Sequence, residues 1–296
     1  MGTLRNVLLR VAPHRAARRL VASVGLITAS TLLTGALASS EEHLDHAPSL
    51  MHDRVSLQRG AAVFVNHCMG CHGTSFLRYN KLQELGISEA LLKESFMFNA
   101  TKVGERMLTS MSPVASREWF GVAPPDLTLV ARSRGEDWLY TYLRGFYRDN
   151  SRPTGWNNVV FANVGMPHVL YKYQGGRELT IEEEKPVIDE KTRKVIGGEK
   201  VVTVFDENGE KTVKSEKLTQ APAHATHHQH FSAKSAGSKS TIEYDQMSAD
   251  LVNFLSWAGE PVQVKRFRTG VWVMGYLVVL FALAYATKRA FWKDIR

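Results

Sequence analysis

Cysteine is almost absent from this chain: 296 residues contain two, Cys68 and Cys71. Acidic side chains are missing from residues 1–38, and charge of either sign is missing from Leu20–Ala38 and from Thr269–Thr287. Each absence excludes something. Two cysteines that share one use leave none for a structural disulfide. The zinc pattern C-x-x-C…H-x3-5-H is not present, so a Cys/His zinc centre lacks its remaining ligands. The motif C-x-x-C-H occurs once, which excludes a two-haem peroxidase. A nucleic-acid-binding domain is excluded by where the charge lies. The formal charge of +8 arises from five Arg in residues 1–38 and seven Lys/Arg against one acid in residues 265–296. That leaves 25 basic and 28 acidic side chains in residues 39–264, a mildly acidic middle between basic, apolar ends.

What is present centres on Cys68-Met69-Gly70-Cys71-His72, the attachment signal for a c-type haem. One helical turn separates the two thiols by about the spacing of the haem vinyl groups, and the adjacent His72 can coordinate iron. The cofactor expected is one covalently bound haem c. The mature domain is expected in an oxidising, exported compartment. Arg5, Arg10, Arg15, Arg18 and Arg19 precede the apolar run Leu20–Ala38, which ends in Ala36-Leu37-Ala38. That reads as an export signal in residues 1–38, with a retained anchor as the rival reading.

Residues 41–53 read as a polar arm over the surface, with His43, His46 and His52 as solvated rivals for the iron. Leu57, Ala61, Phe64 and Val65 predict a helix over Val55–His67 that delivers the haem motif, with His67 as an exposed neighbour. Ser88 predicts an N-cap, and Asn99–Trp119 reads as loop with short helical turns. Pro124-Pro125-Asp126 reads as the first turn of a helix that Gly135 ends. Another helix follows with Leu139, Tyr142, Leu143 and Phe146 on one side, before the loop Arg152–Trp156.

A thioether is the common second axial ligand in electron-carrying cytochromes of this type. Met97, Met107, Met111, Met166 and Met247 follow the motif within the domain, and Met247 fits the apolar stripe of a later helix. Met166, between Gly165 and Pro167, sits in a stiff apolar loop; spacing alone leaves Met97, Met107 and Met111 open. Residues 177–241 read as an insertion: a hairpin turning at Asn208-Gly209, then a mobile linker whose His224, His227, His228 and His230 are solvated or hold a metal. Asp245 predicts the cap of a helix with Met247, Leu251, Val252, Leu255 and Ala258 inward, packed on the helix before the haem motif. Thr269–Thr287, about 28 Å as a helix and flanked by basic residues, reads as a transmembrane anchor. The fold class expected is mostly α: a c-type cytochrome haem domain (39–264) with a small β-hairpin and flexible insertion, and a C-terminal anchor and tail (265–296).

These stretches together resemble the cytochrome c1 family, the haem subunit of the quinol–cytochrome c oxidoreductase (the cytochrome bc1 complex), in its proteobacterial form. The matching segments are Leu57-Gln58-Arg59-Gly60, the haem motif, Arg78-Tyr79-Asn80, Ala123-Pro124-Pro125-Asp126-Leu127, Arg152-Pro153-Thr154-Gly155, Gly165-Met166-Pro167 and the anchor. The resemblance implies Cys68 and Cys71 as thioether attachments, His72 and Met166 as iron ligands, Pro124 and Pro125 as pocket lining, and Arg132 as a propionate contact. It also implies one-electron relay from a Rieske iron–sulfur protein to a soluble or membrane c-type cytochrome. The setting it implies is a dimeric complex with cytochrome b, in the inner membrane with the haem domain in the periplasm. The acidic middle fits steering of a basic carrier. The rival functions are a tethered cytochrome feeding an oxidase or reductase directly, a ligand-binding haem sensor, and a metal store in the His-rich tract.

Overall fold

The computed structural model describes residues 44–293 except 190, 191 and 193; the segment read as an export signal, and His43, lie outside them. Asp53 opens the first helix, α1 (Arg54–Val63), by accepting from the Val55 and Ser56 amides. From Phe64 to Cys68 the helix widens into a π-turn, with the Met69 amide on the Phe64 carbonyl at 2.9 Å. That extra residue re-aims the chain where the haem motif begins. Strand β1 (Thr74–Arg78) follows, then a 3-10 turn (Tyr79–Leu85) and α2 (Glu89–Ser95), capped by the Ser88 hydroxyl. β2 (Arg106–Met107) pairs antiparallel with β1.

The helices α3 (Pro113–Phe120), α4 (Val130–Arg134) and α5 (Glu136–Arg144) lead to a hairpin of β3 (Phe146–Arg148) and β4 (Trp156–Asn158). After the short α6 (Tyr171–Gln174) come β5 (Arg177–Ile188), β6 (Val195–Phe205), β7 (Lys211–Leu218) and β8 (Thr226–Ala233). Helices α7 (Thr241–Gly259) and α8 (Gln263–Phe291) finish the chain.

The core is the contact of α1 with α7. At Gly60 a Cβ atom would stand 2.0 Å from the Asp250 carbonyl oxygen and 2.7 Å from the Phe254 Cβ, so only glycine lets the backbones approach. The buried Asp250 carboxylate then takes four donors from three residues: Ser56 Oγ at 2.5 Å, Arg59 Nε and Nη2 at 2.6 and 3.0 Å, and Gln246 Nε2 at 2.9 Å. As expected, Met247, Leu251, Val252, Leu255 and Ala258 are buried on α7. The arm from residue 44 wraps the surface by donating the Ala47 amide to Asp137 and the Leu50 amide to Asn253.

Six readings of the sequence are corrected. Asp245 is not the α7 cap: Ser240 and Glu243 form a capping box there, and Asp245 instead takes the Arg144 guanidinium at 2.7 Å. Pro124-Pro125-Asp126 does not start a helix, because the Asp126 carboxylate is drawn into side-chain bonds described below and α4 begins only at Val130. Asn99–Trp119 is more than loop and short turns: the eight-residue α3, capped by Ser112, begins in it at Pro113 and ends just past it at Phe120. His67 is half-buried against Tyr173. The largest change lies in residues 177–241. The hairpin at Asn208-Gly209 is present, but it is the β6–β7 pair of a four-stranded antiparallel sheet in the order β7-β6-β5-β8. The stretch read as a linker supplies β8, because Phe231 falls in register beside Leu179 and Phe205 and packs with Tyr147 and Val159. With 41% helix and 21% strand among the described residues, the fold is mixed rather than clearly mostly α.

Helix α8 leaves its side chains exposed throughout the 27-residue apolar span from Lys265 to Phe291. Length and composition suit a bilayer crossing.

Gly60→Ala is expected to destabilise the domain by about 3 kcal/mol, since no flexible side chain stands at the point of overlap. Urea unfolding of the two proteins measures this; equal midpoints and slopes would contradict it.

Candidate haem-binding site

The attachment motif sits at the end of the π-turn. Cys68 is buried, Cys71 half-buried, and neither is in a disulfide. Burial, with Cys71 beside it, pushes the Cys68 thiol up to about 12, and burial also raises Cys71. At neutral pH both are therefore held as neutral thiols. The Cys71 and His72 amides close the turn on the Cys68 carbonyl at 3.0 and 2.8 Å.

His72 is buried, and its Nδ1 lies 2.8 Å from the Pro125 carbonyl oxygen. A carbonyl only accepts, so Nδ1 carries the proton and Nε2 keeps its lone pair. Burial lowers the His72 pKa against the raising effects of that carbonyl and of Asp126, which favours the neutral imidazole a metal requires. The segment bearing Pro125 is zipped to the residues after His72. The Leu127 amide donates to the Gly73 carbonyl at 2.8 Å, and Asp126 Oδ2 accepts from the Ser75 amide at 2.7 Å and hydroxyl at 2.6 Å. Asp126 Oδ1 accepts from the Thr128 amide and hydroxyl at 2.9 and 2.5 Å. Burial opposes ionisation of Asp126, but these donors carry its carboxyl below the ordinary range. Pro124 is half-buried and Pro125 exposed.

Met166 is half-buried among Phe146, Trp156, Val164, Tyr142 and Tyr171, and the Tyr142 hydroxyl donates to its sulfur at 3.4 Å. Its loop meets the approach to the Pro-Pro segment: a Cβ on Gly165 would stand 3.0 Å from the Phe120 carbonyl and 3.1 Å from Val122. Met97, Met107 and Met247 are buried in the main core, with Met107 wholly enclosed, and Met111 is half-buried. Met69 is in the core too, with the Tyr79 hydroxyl on its sulfur at 3.5 Å. Arg132 is 60% exposed and reaches Glu260 at 3.3 Å, which also takes Arg266 at 2.7 Å. Of the other histidines, His46 meets Asp137 at 3.3 Å, His52 is exposed, and His227 meets Glu183 at 3.4 Å.

Two residues past Met166, His168 is buried, stacked on Phe146 at 4.8 Å and edge-on to Trp156 at 5.1 Å. Burial lowers its pKa to about 3, and its Nε2 donates to Gln174 Oε1 at 2.7 Å. The sequence reading gave His168 no role and took Asp126 only for a helix start. An Asp followed two residues later by Thr is a local signal for the turn at Asp126; nothing local marks the Gln174 contact.

Two unpaired thiols, a histidine whose second nitrogen is already committed, and an apolar exposed C-terminal helix define a membrane-anchored c-type cytochrome. The Cytochrome C1 family model matches residues 45–184 and 200–295, leaving out, within that span, only 185–199 around the β5–β6 turn. Cytochrome c1 of Allochromatium vinosum is 40% identical over 94% of this chain and 99% of its own. The ammonia monooxygenase gamma subunit of Nitrosomonas europaea is 36% identical over 87% and 91%, and cytochrome c1 of Rhodospirillum rubrum 26% over 83% and 84%. The chain belongs to the cytochrome c1 family. Its cofactor is therefore covalently bound haem c, and its work is electron transport at a membrane.

Asp126→Asn removes a carboxylate whose folded pKa is depressed. Such a group contributes stability above its unfolded pKa, about 3.9, and loses it as the pH falls through the folded value. The variant is expected to be about 1 kcal/mol less stable at pH 7, after allowance for exposure. The gap should narrow as the pH falls below 4. Denaturant titrations at pH 7 and pH 3 check both halves; a gap as large at pH 3 as at pH 7 would place the effect elsewhere.

Proposed function

We propose that this chain is the haem c subunit of a quinol–cytochrome c oxidoreductase, receiving single electrons from a Rieske iron–sulfur protein and passing them to a c-type cytochrome. Cytochrome b would be its other neighbour, in a dimeric complex of the inner membrane. Residues 39–264 would form the periplasmic domain, residues 1–38 the export signal, and residues 265–296 the anchor and cytoplasmic tail. The carrying observation is the hydrogen bond of His72 Nδ1 to the Pro125 carbonyl, directly after two free thiols, in a chain of this family.

Bound haem c supplies a one-electron ferric/ferrous couple. The protein's part is to hold it. Cys68 and Cys71 would bond to it, and His72 would present Nε2, made more basic by the Pro125 carbonyl on the opposite nitrogen. Met166 would offer its thioether, which favours a raised reduction potential. A thioether has two lone pairs, so the Tyr142 hydroxyl and a metal can be served together. Burial raises the Tyr142 pKa, which keeps that hydroxyl a donor at any physiological pH. Pro124 and Pro125 would line the site, and Arg132 would meet a propionate.

Met166→Leu in the membrane-bound protein is expected to lose the low-spin His/Met spectrum and to fall in midpoint potential, with haem still attached. An unchanged spectrum would move the sixth position to Met107 or Met111. Co-purification with cytochrome b and an iron–sulfur protein tests the complex; recovery with an oxidase and without cytochrome b would favour the directly coupled alternative. Reduction of a basic carrier should slow as ionic strength rises.

A further inference from the structure

Helix α6 is four residues long, yet two of its neighbouring side chains reach the two halves of the site. Tyr173 turns to the attachment side. Its hydroxyl shares a 3.1 Å hydrogen bond with His67 Nε2, and the two rings meet edge to face at 5.2 Å. His67 immediately precedes Cys68. Gln174 turns to the methionine loop, where its Oε1 accepts from His168 Nε2 at 2.7 Å. His168 is itself immobilised between Phe146 and Trp156, two residues after Met166.

The support under these two contacts is rigid. Leu170, at the start of α6, is 1% exposed in the main core, and its carbonyl takes the Tyr173 and Gln174 amides at 2.9 and 3.2 Å. On the other side the Lys172 and Tyr173 carbonyls accept from the Ser238 and Lys239 amides at 2.9 and 3.2 Å. Gly237 lies so close that a Cβ there would be 2.1 Å from the Tyr173 carbonyl. Residues 238 and 239 lead directly into α7, the helix that also holds α1.

We propose that Tyr173 and Gln174 form a bracket that fixes the separation between the haem-attachment turn and the Met166 loop, and so act as positioning residues for the sulfur–iron bond. The proposal rests on the reading of Met166 as sixth ligand. A loop carrying a weak thioether ligand keeps it on iron only if the loop cannot drift. Tethering both segments to consecutive residues of one short helix removes that freedom without touching either ligand.

The test uses the full-length, membrane-bound holoprotein with Tyr173→Phe, Gln174→Leu, the double variant and Gln174→Glu. Tyr173→Phe keeps the ring beside His67 and deletes one oxygen; Gln174→Glu keeps an acceptor for His168. Added imidazole competes for the sixth position, and the rate at which it displaces the sulfur is followed by absorption. The double variant is expected to be displaced about tenfold faster than wild type, the scale of the hydrogen bonds removed. Its midpoint potential should fall while covalent haem content is unchanged, and Gln174→Glu should stay near wild type. Displacement within twofold of wild type, in a background where Met166→Leu does change the spectrum, overturns the bracket alone. A Met166→Leu spectrum identical to wild type overturns the ligand reading and the bracket with it. Tyr173→Phe alone leaves the fold least disturbed and decides the matter if the double variant fails to accumulate.

Discussion

The backbone contact of α1 with α7 at Gly60 decides where everything nearer the haem can sit. The two helices meet 190 residues apart in sequence, with the Asp250 carbonyl in the space a side chain would need and the Asp250 carboxylate bonded to Ser56 and Arg59 on the same face. A buried carboxylate is stabilising only while its donors are all in place, so this contact fixes register as well as distance. With α1 fixed, the π-turn at Phe64–Cys68 can spend its extra residue on direction, and the two thiols emerge at a defined place against the core. Phe64, its ring tilted against that of Phe254 with centroids 5.6 Å apart, joins that turn to α7 directly.

From that point the chain builds the surroundings of His72 by local hydrogen bonding. Asp126 is the organiser. It gathers four donors from Ser75 and Thr128 and thereby holds the next-door Pro125 carbonyl toward His72. A proline suits this place for a reason other than helix initiation. It fixes one backbone dihedral and offers a carbonyl while needing no partner for an N–H. The imidazole tautomer is thus set by a backbone atom, whose position depends on a carboxylate that stays ionised down to acidic pH.

Much of this was legible in the sequence wherever the information is local or periodic. Cys68 to His72 state the cofactor by spacing alone; Met247 to Ala258 state a buried helix face; Thr269–Thr287 state an apolar helix. What was not legible depends on partners distant in sequence. Asp245 looks like a helix cap until Arg144, 101 residues earlier, turns out to need a carboxylate. Pro-Pro-Asp looks like a helix start until Ser75 competes for the aspartate. The tract Thr226–Ala233 has the composition of a solvated linker, and its histidines are largely exposed. It is a strand because β5 offers an unpaired edge and Phe231 has an apolar slot beside Leu179. Composition records what a segment could bury, not whether a neighbouring edge awaits it.

The sheet also supports the loop that carries Met166. Its base rests on the β3–β4 hairpin, where Tyr147 meets Phe205 at 4.8 Å, and its β6–β7 turn is bonded to the hairpin loop, the Asn150 amide donating to the Gly209 carbonyl at 3.2 Å. That hairpin is the scaffold of the Met166 loop. Asn157 Oδ1 accepts from the Asn163 amide at 2.8 Å, and Arg152 holds the Asn163 side chain and carbonyl at 3.0 and 3.2 Å. Asn163 is the one non-glycine residue with positive φ among the described residues, at 62°, a conformation that asparagine tolerates better than most. The loop is therefore pinned before Met166 by polar contacts to the hairpin and after it by His168, and the sheet holds the hairpin against the haem domain. A segment that reads as an appendage in sequence is, in the folded chain, a buttress for the hairpin and so for the loop that carries Met166.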